Sequence, residues 1–320
     1  MDMAPLAIGL IGALALFLFA LDELARTPKA VAGDRLRDWL ARATGTGLKG
    51  LMAGAGATVA LDSSTATVVM VIAFVDAGLF GGAQALPVVL GANIGTTVST
   101  QFLAAGLDDL APLLFAAALV VMTVLRSPTA KQYARIAAML ALLLFALDLM
   151  GNSMEALAGS PAAAGWLGRL DNPLLALAVG AGVTVVLQSS SAAMGLVIAL
   201  ASTGTLPLPA ALAVMLGAEI GTCADTLIAA IGRSAAALRV GLFHLAFNVA
   251  SAGCALLLLD ELPAFARWLA VQVPTQVANA QSMFNVAGVS IAMALLATFL
   301  SPTSKGSERS SRGGADPGSS

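Results

Sequence analysis

The sequence predicts an all-α membrane protein of two inverted-topology repeats, each with a re-entrant helical hairpin and a broken transmembrane helix. Three observations predict it. Of 320 residues, 58% are hydrophobic and 11% charged, whereas the surface of a soluble domain needs about a quarter charged residues. Sliding the chain against itself by 126 positions aligns 48–97 with 174–223 without a gap, and 24 of the 50 pairs are identical, so the chain carries a duplicated unit. Of the 16 Lys and Arg residues, all but Arg169 and Arg267 fall on one side of a single membrane topology. A soluble enzyme, a nucleic-acid binder and a disulfide-stapled secreted domain are excluded together.

The apolar run at 6–21 has no basic segment before it and carries Asp2 near its start, so it reads as an uncleaved first span of about 6–26. Residues 27–46, with Arg35, Leu36, Arg37, Trp39, Leu40 and Arg42, suit an amphipathic helix on the cytoplasmic surface or a solvated linker. The next segment, 48–77, spans poorly. Its two apolar legs are about 14 residues, near 21 Å as helix, against roughly 30 Å of hydrocarbon, and Asp62 and Ser63 interrupt them. Such a segment is a hairpin that turns back at mid-depth, tolerated where its irregular backbone is buried in protein or lines a cavity. Spans at 83–105 and 109–126 complete a first repeat of 1–130.

The second repeat, 131–260, copies this order: an apolar helix at 136–149, a hairpin at 174–204 around Gln188, Ser189 and Ser190, then spans at 206–231 and 240–259. Three crossings in the first half invert the second. A surface segment and a last span to 300 bring the count to seven, and the Ser- and Gly-rich tail 301–320 reads as disordered and cytoplasmic. The charge distribution sets the N-terminus outside and the C-terminus in the cytoplasm of a multi-pass inner (cell) membrane protein. Cys223 and Cys254 lack metal-ligand spacing and read as small core residues.

At each tip the second helix starts among hydroxyls: Ser63, Ser64 and Thr65 in one hairpin, Ser189, Ser190 and Ser191 in the other. Free N–H groups and the positive dipole end point toward the midplane there, so two opposed tips make an anion site without Lys or Arg. For one tip alone, capping or close packing would explain the serines; two copies at equivalent positions favour binding. After each hairpin, at one offset, come GANIGTT (91–97) and GAEIGTC (217–223). Their glycines imply local unwinding or simply admit the hairpin. Asn93, Thr96, Thr97, Glu219 and Thr222 supply hard oxygen ligands for a small cation. His244, the only histidine, and Asn248 share a helix face and take a structural or gating role.

The doubled tip element, continued at 188–204 as QSSSAAMGLVIALASTG, the GANIGTT and GAEIGTC pair, HLAFN at 244–248 and ANAQSMFN at 278–285 together resemble the type II sodium-phosphate cotransporter family over nearly all of the chain before its tail. The resemblance implies symport of inorganic phosphate into the cell with sodium, with no cofactor beyond sodium ions and no transition metal. It implies that Gln188, Ser189, Ser190 and Ser191 bind substrate and sodium, with Ser63, Ser64 and Thr65 as counterparts, and places Gln281 and Asn285 beside His244 and Asn248 as structural or gating residues. Many bacterial members append a PhoU-like helical domain; this sequence reads as one without it.

Three departures stand out: Asp62 occupies the place of the family's Gln, Glu219 that of its Asn, and the histidine motif occurs only in the second half. A carboxylate at mid-bilayer costs on the order of 3 kcal/mol, so both acids are read as cation ligands. Proton carriage, or hydrogen bonding within the acid's own hairpin, are the other roles. Correspondingly, a cation or proton antiporter using Asp62 and Glu219, or a carrier of another oxyanion, is the alternative to phosphate symport; an intramembrane hydrolase lacks an activated nucleophile. The partners are phosphate, sodium and lipid, with no nucleic acid, and oligomeric state is open, a homodimer included.

Overall fold

The computed structural model describes residues 3–42, 47–107 and 110–300. Helices follow one another without a strand among the described residues. In the first half α1 (Met3–Arg42) precedes the pair α2 (Gly47–Leu61) and α3 (Ser64–Asp76), then α4 (Gly82–Leu103) and α5 (Ala111–Val124). In the second, α6 (Pro128–Ala158) leads through α7 (Pro161–Leu167) and a 3-10 turn (Gly168–Asp171) to α8 (Pro173–Leu187) and α9 (Ser190–Ser202). Then come α10 (Leu208–Gly221), α11 (Cys223–Ala230), α12 (Ala235–Leu257), α13 (Leu262–Leu269) and α14 (Val273–Leu300).

Local chemistry sets the starts. Ser127, Ser160, Asn172 and Ser234 cap α6, α7, α8 and α12 through side-chain oxygens, and Pro in the first turn of α5, α6, α7, α8, α10 and α13 gives up an N–H that has no helical partner anyway. The turns repeat as the sequence does. Positive φ occurs among the described residues at Asp62 and Gln188, Gly78 and Gly204, Gly106 and Gly232, each pair 126 positions apart.

Packing repeats as well. α2 lies on α4 and α8 on α10, closely enough that a Cβ on Gly54 would sit 2.0 Å from Val88 O and one on Gly91 1.9 Å from Leu51 O. The equivalent contacts recur at Gly180 with Val214 O, 2.0 Å, and Gly217 with Leu177 O, 1.9 Å. The second legs have different partners. α3 packs on α11 and α12, burying Val68, Val71 and Ile72 with Ala230, Ala237 and Val240. α9 packs on α4, α6 and α14, burying Ala192, Ile198 and Ala199 with Leu103, Leu143 and Met150.

Several expectations change. Helix α4 runs unbroken through 91–97, and the second copy departs from helix only at Thr222, whose φ −57° and ψ −25° remain helical. The glycines serve the close approach of α2 and α8, not unwinding. Among the described residues five helices are long and apolar enough to cross a membrane, or six if the bent pair at 163–187 is one span, where seven crossings were expected: Pro5–Leu24, Pro128–Ala158, Leu208–Ala230, Ala235–Leu257 and Val273–Thr298. Of the other two, α5 has 14 residues, and α4 has 22 but carries Asn93, Thr96, Thr97, Ser99, Thr100 and Gln101. α8 also meets the preceding segment at 114°. α1 continues to Arg42 where a separate surface helix was expected; residues 43–46 and the tail 301–320 lie outside the described residues. Cys223 is buried but Cys254 is exposed on α12 rather than in the core.

Candidate functional site

Both hairpin tips are built the same way. Asp62 (φ 48°) and Gln188 (φ 52°) turn the chain in the left-handed region, a conformation Asn and Asp accept more readily than bulky residues. The next residue is the extended N-cap of the second leg: Ser63 Oγ accepts from Ala66 N and Ser189 Oγ from Ala192 N, each at 3.1 Å. Thr67 N and Ala193 N donate to the Ser63 and Ser189 carbonyls. The two amides in between, of Ser64 and Thr65 in one tip and Ser190 and Ser191 in the other, are the first-turn donors a helix leaves for a ligand. The side chains of Ser64, Thr65, Gln188, Ser190 and Ser191 make no hydrogen bond among the described residues, with Ser64, Ser190 and Ser191 buried, Thr65 half-buried and Gln188 exposed. So one serine of each cluster is a cap, as packing alone would have it, and the rest present donors.

The helices beside the tips are polar at mid-length. Asn93, Thr96 and Thr97 are buried on α4, where their donors go to carbonyls of their own helix at Val89, Ala92 and Ile94. Thr222 likewise donates to Ala218 O. Their side-chain oxygens keep lone pairs for a cation.

The two acids have separate partners. Asp62, half-buried, accepts from Ser99 Oγ of α4, a residue the sequence reading passed over and a contact outside its own hairpin. The repeat maps Asp62 to Gln188 and Ser99 to Asp225, so each half holds one acid at this pair of positions, on the tip in the first and on the helix in the second. Glu219 is buried, and its Oε1 accepts from Gln281 Nε2 at 2.7 Å and Asn285 Nδ2 at 3.2 Å, both on α14.

His244 is fully buried; its Nδ1 lies 3.0 Å from Thr226 Oγ1. Asn248 Nδ2 donates to His244 O and approaches Cys223 Sγ at 3.4 Å. These ties between α11 and α12 fit a structural residue. On α14, Asn279 and Ser282 accept from Gln101 of α4 at 3.0 and 2.9 Å. Gln101, Thr226 and Asn279 were missed as site neighbours; a polar residue inside an apolar helix was the available signal.

The ends of the two second legs make different contacts. A cavity of about 450 Å³ is lined by Leu103, Asp148, Ser202, Thr203, Gln272 and Pro274 among others. At the end of α3, Asp76, the repeat counterpart of Ser202, accepts from Ser234 N at 2.7 Å and pairs with Arg233 at 3.5 Å. The Ser234 N–H and hydroxyl, then Arg233, hold the Asp76 carboxyl below the usual carboxylate range.

Comparison with known proteins adds the following. The family model described as Na+/Pi-cotransporter matches twice, over residues 16–152 and 142–298, two matches whose starts are one repeat apart. The uncharacterized protein YqeW of Bacillus subtilis is 28% identical over 84% of this chain and 88% of its own length. The putative inorganic phosphate export protein YjbB of Escherichia coli is 30% identical over 75% of this chain and 44% of its own, so the chain spans less than half of that relative. The human sodium-dependent phosphate transport protein 2C is 41% identical over 27% of this chain and 14% of its own. No solved structure matches the chain.

Proposed function

The chain belongs to the Na+/Pi-cotransporter family, and on that premise we propose that it is a secondary active transporter of inorganic phosphate, coupled to sodium and working by alternating access. The observation that carries this reading is the pair of identically built tips, each offering two first-turn amides and unengaged hydroxyls to an anion. Neutral donors suit a carrier that must both bind and release phosphate.

In this reading the chain lies in the inner membrane with the N-terminus outside, as two inverted repeats over 1–130 and 131–260 followed by 261–300. The tips approach from opposite sides. The long helix α14 supports that arrangement. Thr275, near its start, donates to Ala104 O at the end of α4, and Val273 and Pro274 line the cavity with Ser202 and Thr203 at the end of α9. Met293, near its other end, lies against Gly47 at the start of α2. Eighteen helical residues separate these two levels, about 27 Å. The first hairpin then opens toward the cytoplasm and the second toward the outside. The cavity is the outward vestibule, and Asp76 with Ser234 and Arg233 closes the inner one.

Ser64, Thr65, Ser190 and Ser191 bind phosphate, while Asp62, Asn93, Thr96, Thr97, Gln188 and Glu219 serve the coupling ion. Net efflux is a second reading, favoured by relatives named phosphate export proteins; one carrier runs either way as its gradients dictate. The test is labelled phosphate flux in proteoliposomes. An imposed sodium gradient should drive uptake that a choline gradient does not, and Ser190→Ala should abolish it while the protein still inserts. No phosphate movement under any cation gradient refutes the reading.

A further inference from the structure

We infer that Glu219, Gln281 and Asn285 form a sodium site between α10 and α14, with the side-chain amide oxygens of α14 among its ligands. The inference rests on the transport reading above and gives Gln281 and Asn285 a ligand role in place of a gating one.

Three observations carry it. Glu219 is buried, and both contacts to its Oε1 come from neutral amides. None of α4, α8, α9, α10, α11 and α14 contains a Lys or Arg; α12 and α13, which also pack on α10, carry the exposed Arg239 and Arg267 and His244, whose Nδ1 faces Thr226, and no ion pair to the Glu219 carboxylate occurs among the described residues. A buried charge in such surroundings requires an opposite charge brought to it, a proton or a metal cation.

The second observation favours the metal. Gln281 Oε1 and Asn285 Oδ1 are buried and have no hydrogen-bond partner among the described residues. Each belongs to the same amide that touches Glu219, so two orphaned oxygens stand beside this acid. A proton would neutralise the carboxylate and could be donated to one rotated amide oxygen, which leaves the other unsatisfied. A cation uses all three groups. Rotating each amide by half a turn exchanges its N–H group for its oxygen, and the carboxylate with two amide oxygens then forms the hard-oxygen set that alkali cations take.

Third, the site is built once. Asn93 holds the position equivalent to Glu219, and its Nδ2 donates to Val89 O of its own helix. Gln281 and Asn285 lie one turn apart on α14, and Asn285 also donates to Gln281 O. Sodium would therefore tie α10 to α14, while Gln101 separately ties α14 to α4. Occupancy would change one of the two attachments of α14 and leave the other.

The experiment is equilibrium binding of 22Na+ to the purified protein without phosphate, with thermal melting of the same samples in sodium and in choline. The parent should bind sodium and melt higher with it. Glu219→Gln, which keeps the shape and removes the charge, should bind sodium at least tenfold more weakly at this site and show a smaller sodium-dependent rise in melting temperature than the parent. Asn285→Ser, a second variant that keeps Glu219, should weaken sodium binding several-fold. Equal sodium affinity in parent and Glu219→Gln overturns the site, and so does a parent whose melting follows pH through Glu219 but ignores sodium. Sodium-driven phosphate uptake with unaltered 22Na+ binding in Glu219→Gln would remove this site and leave the transport reading standing. Loss of 22Na+ binding in Glu219→Gln with no phosphate flux in the parent would keep the site and remove phosphate.

Discussion

Asp62 and Gln188, 126 positions apart, turn the backbone through the same left-handed conformation, φ 48° and 52°, and no other non-glycine among the described residues does so. The left-handed region costs an ordinary L-residue about 1–2 kcal/mol and costs glycine almost nothing. Gln188→Gly should therefore keep or raise the melting temperature in detergent, while Gln188→Val should lose about 1–2 kcal/mol. Equal melting of the two variants would contradict the tip geometry.

The serine clusters should separate into two classes. Ser189 caps α9 through its Oγ, so Ser189→Ala should cost about 1 kcal/mol of stability. Ser190 and Ser191 make no side-chain hydrogen bond among the described residues, so their alanine variants should melt near the parent and yet fail to move phosphate. Transport that survives in Ser190→Ala and Ser191→Ala removes both from the site.

Gly91→Ala and Gly217→Ala each drive a methyl group into a backbone carbonyl, at 1.9 Å in both cases. The backbones of α2 and α8 would have to move off α4 and α10. Each variant should lose about 1–3 kcal/mol or more, the usual range for overpacking, read as a lower melting temperature and poor yield. Gly182→Ala, with nothing within 4 Å, is the control and should be neutral.

Asp76 predicts a pH effect of known sign. Its carboxyl is held below the ordinary value of 3.8 by the Ser234 N–H and hydroxyl and by Arg233. A depressed folded-state pKa means the contact contributes at pH values above the unfolded one and is lost as pH falls through the folded one. The difference in melting temperature between the parent and Asp76→Asn should thus be constant from pH 7 to about 5 and shrink below the ordinary carboxylate value. In flux, Asp76→Asn should loosen the inner closure and slow coupled uptake. A difference that grows on acidification would contradict the assignment.

Much of this was legible in the sequence because the duplication speaks twice. One Asp-Ser-Ser could be a broken helix; its match to Gln188-Ser189-Ser190 located both tips to the residue. Other features were hidden for physical reasons. Gly91 and Gly95 look the same whether a helix unwinds or a neighbour presses close, and only the carbonyls of Leu51 and Ala55 and the side chain of Thr58 decide for packing. Asp62 was read as a cation ligand, with its own hairpin as the other source of partners; its contact with Ser99, 37 positions away, was not visible locally. The grip of Gln281 and Asn285 on Glu219 joins residues more than sixty positions apart, outside the 126-residue register that organised the rest. α4 fell short as an apolar span because its second half carries Asn93, Thr96, Thr97, Ser99, Thr100 and Gln101.

Whether one anion is shared by both tips is tested most directly by a density map of the protein in sodium phosphate. The account predicts a single tetrahedral density touching the Ser64 and Thr65 amides from one side and those of Ser190 and Ser191 from the other. Density at one tip only, or two tips facing the same compartment, would contradict it.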